Sequence, residues 1–223
     1  MKSASSWPKP GQGSRMLNRH ARGFFTSLFT PFARWLLKMG VSPDAVTIVG
    51  TAGVIFGGLV LYPLGHLWWG SLMIAIFAFS DVVDGIMARL HGRSGGWGNF
   101  LDSSLDRLAD GAIFAGITIW FFTGGGDPAI GFAAVICLVL GMVVSYVRAK
   151  AESLGYSASV GIAERAERLA SVLLVTGLTG LGLPQVVLFA TLVLLAIASV
   201  ITIVQRMAAV HRQALADTKG TGI

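Results

Sequence analysis

Asp81 and Asp84 stand three residues apart on one apolar stretch, and Asp102, Asp106 and Asp110 stand four apart on the next. If both stretches are helices, each set projects from nearly one face, and a short Gly-rich turn between them brings the carboxylates face to face. A charged carboxylate in hydrocarbon is costly, and clustering several adds mutual repulsion, so something positive must lie between them. The local cations, Arg89 and Arg107, are too few for five acids. Hard divalent ions take all-oxygen ligand sets and keep part of their water, so Mg²⁺ or Mn²⁺ suits a cluster with no His or Cys interleaved. Two such ions a few Å apart can clamp a phosphoryl group. The chemistry indicated is metal-assisted reaction at phosphorus.

The spacer between the two stretches supports a phosphate ligand. Gly85, Gly92, Gly95, Gly96 and Gly98 permit close backbone approach, and a helix beginning just after Gly98 aims its N–H groups and dipole at the same region. A purely structural reading stands beside this one. Membrane-embedded acids often pair with arginines that pack helices together, and glycines often merely permit close helix contact. That reading suits Asp110 taken alone and poorly explains Asp81, Asp84, Asp102 and Asp106 together.

These residues need a scaffold, and the composition says which solvent it meets. The chain of 223 residues is 54% hydrophobic and only 13% charged, with a mean hydropathy of +0.71, so a bilayer is its expected environment. Six apolar runs are long enough to be read as membrane spans, at about 45–61, 67–90, 99–122, 130–147, 169–181 and 184–204, the fifth being the shortest. "LYPLGH", "HGRSGGWG", "TGGGDP" and "TGLGLP" are turn-like breaks, whereas the fourth break, "RAKAESLGYSASVGIAERAER", is longer and charged. Lys and Arg collect before the first span, at the second and fourth breaks and after the sixth, and the other three breaks have none. This alternation predicts an even number of spans, with both termini and the acidic end facing the cytoplasm of a cell-membrane protein. The formal charge of +6 and pI near 10.0 therefore point to anionic headgroups instead of nucleic acid, because the cations lie at span ends and form no single soluble face. The one cysteine, Cys137, excludes an intrachain disulfide and is expected to pack.

Residues 1–15 lack apolar periodicity and read as a disordered segment. Over about 17–39, Phe24, Phe25, Leu28, Phe29, Phe32, Trp35 and Leu36 recur at helical spacing against Arg19, Arg22, Arg34 and Lys38, predicting an amphipathic interfacial helix bent near Pro31. A cleaved signal peptide is not expected. The fold class is an all-α integral membrane protein, a single membrane domain over 16–212, followed by a flexible tail at 213–223.

The stretch "DVVDGIMAR", eight further residues, then "GNFLDSSLD" resembles the full signature of the CDP-alcohol phosphotransferase family, with Asp81, Asp84, Gly85, Ala88, Arg89, Gly98, Asp102 and Asp106 at its fixed positions. The resemblance implies six spans and a homodimer. It also implies metal binding by Asp81, Asp84, Asp102 and Asp106, a general-base role for Asp106, and a CDP site lined by Gly85, Ala88, Arg89, Ser94 and Gly98. "SPDAVT" resembles a second family feature, Pro-Asn-x-x-Thr, with Asp44 in place of Asn, which adds Asp44 and Thr47 to the CDP-lipid site; a plain helix start explains the same residues nearly as well. The implied reaction is attack of an alcohol on the β-phosphorus of a CDP-alcohol, with release of CMP.

The acceptor is read from other residues. Arg148, Lys150, Arg165 and Arg168 bracket the fourth break, and guanidinium forks suit a phosphorylated alcohol. Ordinary positive-inside topology with pairing to Glu152, Glu164 and Glu167 is the alternative. "SYVRAKAESLG" and "GIAERAERL" are similar to the corresponding stretches of actinobacterial members of the family that make phosphatidylinositol phosphate. This implies CDP-diacylglycerol as donor and inositol 1-phosphate as acceptor. Two rivals stay open on sequence alone: glycerol 3-phosphate as acceptor, and a cation transporter with intramembrane acids.

Overall fold

A computed structural model describes residues 29–90, 96–162 and 164–220 of the chain, and every regular element among them is helical. The elements are α1 (residues 29–38), α2 (Pro43–Phe56, continued by a π-helical turn over Gly57–Leu61), α3 (Leu67–Ala78), α4 (Ser80–Leu90), α5 (Gly96–Thr123), α6 (Pro128–Ser153), α7 (Arg165–Gly180) and α8 (Gln185–Gly220). The expectations for residues 1–28, and for Gly92, Ser94 and Gly95, fall outside the described residues.

Local chemistry fixes the helix ends near the site. Ser42 caps α2 by accepting from Ala45 N at 3.2 Å, with Pro43 supplying a first helical residue that needs no donor. Asp127 and Pro128 repeat the arrangement at α6, where Ala129 N donates to Asp127 Oδ1 at 3.0 Å. At the other end of α6 the chain reverses through Gly155, whose φ of 82° is the left-handed conformation that glycine adopts without strain, while Tyr156 N donates back to Ala151 O.

Four stretches are long and apolar enough to cross a membrane: Pro43–Leu61, Leu67–Leu90, Pro128–Ser153 and Gln185–Thr218. The other two expected spans are present as helices but do not meet that criterion. α5 carries Asp102, Asp106, Arg107 and Asp110, and α7 has only 16 residues. The expected tail also differs from the structure, since α8 continues as helix to Gly220, well past residue 212. The second stretch is interrupted at Phe79, which separates α3 from α4.

α5 lies against α2 and α6, α3 against α7, and α6 against α8. The core along these contacts is formed by Val54, Tyr62, Ile74, Ile113, Phe114, Ile117, Phe121, Val172, Leu188 and Leu192. Gly116 lets α5 touch the backbone of the π-helical turn directly, because a Cβ there would collide with the Gly58 carbonyl. A second cluster packs Ala33 of α1 against Val83, Ile86 and Met87 of α4. Leu174, Val186 and Leu194 are largely exposed on the outside, where a soluble domain would place polar groups. The outward apolar surface and the apolar helices are those of a membrane protein.

Candidate active site

α2, α4, α5 and α7 converge with their polar ends on one cavity of about 830 Å³. α2 contributes Pro43, Asp44 and Thr47, α4 contributes Asp81, Asp84, Gly85 and Ala88, and α5 contributes Trp97, Gly98, Asn99, Asp102 and Asp106; Arg165 enters from the first turn of α7. The two acid-bearing helices thus face each other, as their residue spacing requires.

Within the cavity, Asp81, Asp102 and Asp106 each present a carboxylate oxygen such that all three atoms lie within 4.8 Å of one another. Asp84 is turned aside, where its Oδ2 accepts from Thr47 Oγ1 at 2.5 Å; the same hydroxyl lies 3.1 Å from Pro43 O. Arg165 spans the acids, with Nη1 at 2.8 Å from Asp106 Oδ1 and 3.8 Å from Asp81 Oδ2, and Nε at 3.0 Å from Asp110 Oδ1.

Asp110 lies one turn deeper than Asp106 and is only 5% exposed. It also meets Arg168 Nη2 at 3.5 Å and Arg107 Nη2 at 3.8 Å. Arg168 is itself 1% exposed, and a Cβ at Gly141 of α6 would press on its guanidinium. The reading of Asp110 as a packing partner of arginines therefore describes its surroundings. Five carboxylates face three guanidinium groups here, two positive charges short of balance. The three convergent carboxylates are a hard, all-oxygen donor set, which fits a divalent cation and not a soft metal.

Of the residues expected at the site, Asp44, Thr47, Asp81, Asp84, Gly85, Ala88, Gly98, Asp102, Asp106 and Arg165 line the cavity. Arg168 lies beneath it and reaches it only through Asp110. Arg89 is exposed on the last turn of α4 and is not part of the lining. Arg148 and Lys150 are exposed near the end of α6, outside the lining, and Arg148 Nε donates to Glu152 at 2.9 Å one helical turn away.

Sequence reading missed Trp97, whose Nε1 donates to Asp44 Oδ2 at 3.2 Å and so links α5 to α2 across the cavity mouth. Its ring packs on Phe100 with centroids 6.0 Å apart. A single bulky aromatic inside an otherwise Gly-rich break was the available signal. Arg206 and Gln213 of α8 were also missed as anchors. Arg206 donates to Val160 O at 2.9 Å and Val144 O at 2.7 Å, and the Gln213 amide exchanges two hydrogen bonds with the backbone of Ser157. These bonds hold the segment that leads into Arg165 against α8.

A second chamber of about 550 Å³ adjoins the acids. Its walls are mainly apolar, including Val54, Ile74, Ile113, Leu169 and Leu173, yet Asp81, Asp106 and Arg165 also border it. A polar, acid-lined cavity and an apolar chamber thus share one boundary, the arrangement an amphipathic substrate requires.

Residues 40–204 match the family described as CDP-alcohol phosphatidyltransferase. The phosphatidylinositol phosphate synthase of Streptomyces avermitilis is 50% identical over 210 residues, covering 92% of this chain and 86% of that protein. That of Mycolicibacterium smegmatis is 43% identical over 193 residues, covering 85% and 86%. The crystal structure of the Mycobacterium tuberculosis phosphatidylinositol phosphate synthase with CDP-DAG bound superposes with a TM-score of 0.79 at 40% identity, covering 82% of this chain and 94% of that one. A structure of the same enzyme in complex with manganese and citrate gives 0.78 at 41% identity, covering 82% and 88%.

Proposed function

The chain belongs to the CDP-alcohol phosphatidyltransferase family, and from that premise we propose that it transfers the phosphatidyl group of CDP-diacylglycerol to inositol 1-phosphate, giving phosphatidylinositol phosphate and CMP. The observation that carries the reading is the convergence of Asp81, Asp102 and Asp106 on a cavity that also borders an apolar chamber. The first holds what a pyrophosphate needs and the second accepts acyl chains.

The nucleotide end of the donor enters between α2, α4 and α5. Gly85, Ala88 and Gly98 leave room for it, with Asp44 and Trp97 closing the mouth. Asp81, Asp102 and Asp106, with Asp84 alongside, would hold divalent ions, Mg²⁺ or Mn²⁺ and two per site, which would supply the positive charge that neutralises the pyrophosphate oxygens. Asp106 takes the proton from the acceptor hydroxyl as its oxygen bonds to the β-phosphorus, and CMP leaves with the electrons of the broken P–O bond. Arg165 contributes a guanidinium to the acceptor phosphate from within the cavity. Arg168 holds Asp110 beneath it, and Arg148 and Lys150 add positive charge at the entrance.

The same reading gives six membrane spans, with α5 and α7 completing the bundle around the four apolar stretches, and α1 as part of the interfacial helix. It orients the cavity toward the cytoplasm of the cell membrane, following the distribution of Lys and Arg, and assigns a homodimer. Among the described residues, Asp81, Asp84, Asp102 and Asp106 converge on one cavity instead of being spread along the bundle, which favours an enzyme over a cation transporter.

Mass analysis of the lipid product formed from CDP-diacylglycerol, Mg²⁺ and an equimolar mixture of inositol 1-phosphate and glycerol 3-phosphate tests the acceptor. Phosphatidylinositol phosphate is the expected product. Phosphatidylglycerol phosphate as the dominant product would keep the reaction and replace the acceptor.

A further inference from the structure

Arg165 carries two different attachments on one guanidinium. Its Nε end is 3.0 Å from Asp110 Oδ1, a buried carboxylate outside the group of three convergent acids. Its Nη1 end is 2.8 Å from Asp106 Oδ1 and 3.8 Å from Asp81 Oδ2, two members of that group. The guanidinium therefore supplies positive charge at the place where a divalent cation would supply it.

The two cannot both keep these positions at low cost. A Mg²⁺ ion lies about 2.0–2.1 Å from each ligand oxygen, so an ion on Asp106 would sit beside a guanidinium bonded to the same carboxylate, like charge against like charge. Asp110 is deeper and also held by Arg107 and Arg168, so it can remain attached while the outer end of Arg165 moves.

We infer that Arg165 is the resting counter-ion of the metal site: it neutralises Asp106 and Asp81 until a divalent cation displaces its outer end, which then pivots on Asp110 to take an anionic oxyanion such as a phosphate. Metal and phosphate binding are then coupled through one side chain. Because coupling is reciprocal, phosphate that draws Arg165 away tightens the metal, and metal that evicts Arg165 tightens the phosphate. The metal part rests on the carboxylate geometry alone, and the phosphate part rests on the acceptor reading above.

The test is Mn²⁺ binding to the full-length, detergent-purified protein without donor lipid, with free Mn²⁺ read by its electron paramagnetic resonance signal. Arg165→Gln is expected to bind Mn²⁺ at least about fivefold tighter than the unmodified protein, a size typical of coupling between sites. Inorganic phosphate is expected to tighten Mn²⁺ binding in the unmodified protein and to lose that effect in the variant. Phosphate that complexes Mn²⁺ in solution also lowers the free signal, so each series is read against a protein-free titration at the same phosphate concentration. Arg165→Lys, which keeps the charge but cannot hold Asp110 and Asp106 at once, guards against a folding defect in the glutamine variant and is expected to fall between the two. Equal or weaker Mn²⁺ binding in both variants would overturn the counter-ion role. Absence of a phosphate effect in the unmodified protein would overturn the coupling. Neither readout needs turnover, so replacing inositol 1-phosphate by another phosphorylated acceptor would leave both unchanged, and the Mn²⁺ comparison stands whatever the acceptor is.

Discussion

Thr47 of α2 donates its hydroxyl to Asp84 of α4 at 2.5 Å, tying together two segments 37 residues apart in the chain. Asp84 is 8% exposed, and the bond holds its carboxylate in place beside the cluster formed by Asp81, Asp102 and Asp106. Thr47→Val keeps the shape and removes the donor. Loss of a hydrogen bond to a buried charged group is worth about tenfold or more, so Thr47→Val should lower kcat/KM for CDP-diacylglycerol about tenfold and raise the Mg²⁺ concentration required. Thr47→Ser should restore most of it. Steady-state rates across a Mg²⁺ series check both.

Two glycines separate ligand space from packing space. A Cβ added to Gly85 meets nothing within 4 Å, whereas one added to Gly116 would run into Gly58 of the π-helical turn. Gly85→Ala should leave thermal stability equal or higher, because alanine is the better helix former, while raising the KM for CDP-diacylglycerol. Gly116→Ala should cost about 1–3 kcal/mol of stability by overpacking. Thermal melts beside donor titrations distinguish the two, and unchanged donor kinetics in Gly85→Ala would remove Gly85 from the nucleotide site.

Asp106 and Asp110 are neighbours on one helix face and share Arg165, yet their roles differ. Asp106→Asn should lower kcat by about 10²–10⁴-fold, the range for removal of a general base, with CDP-diacylglycerol binding retained. Asp110→Asn should act first on stability, since it leaves buried Arg168 without its carboxylate. Full activity in Asp106→Asn would contradict its assignment as base.

Removal of divalent ions with a chelator should abolish CMP release, and Mg²⁺ or Mn²⁺ should restore it while Ca²⁺ restores little. Geometry is the reason: the smaller ions demand a tight octahedral oxygen shell. Activity that survives chelation would contradict a metal role for the acid cluster.

Trp97→Phe keeps an aromatic wall at the cavity mouth but removes the bond to Asp44. It should weaken inhibition by CMP several-fold with the acceptor KM unchanged. A selective rise in the acceptor KM would assign Trp97 to the other substrate.

The acid faces of α4 and α5 were legible because helical periodicity and the Gly-rich break together determine which residues meet. The division of labour within the acids was not. Asp81 and Asp84 are three residues apart, so at 3.6 residues per turn they diverge by about 60°, enough for one to join the cluster and the other to meet Thr47 on a helix far away in sequence. The same limit applies to the cations. Arg165 and Arg168 share a helix face, but only depth against Asp110 and Gly141 decides that one lines the cavity while the other lies under it. Arg148 and Lys150 looked equivalent to them by charge, and their place on the exposed end of α6 is a matter of where Gly155 turns the chain. The anchoring of α8 was not legible either, since Gln213 and Arg206 hold backbone groups of a segment far away in sequence.

On the proposed function, this acid-lined cavity passes a phosphatidyl group to a phosphorylated alcohol. The most direct measurement is CMP release by the detergent-purified protein from CDP-diacylglycerol and Mg²⁺, with inositol 1-phosphate and with free inositol in parallel reactions. CMP release that requires inositol 1-phosphate and is not supported by free inositol is the predicted result. Equal turnover with both, or release with neither, would contradict it.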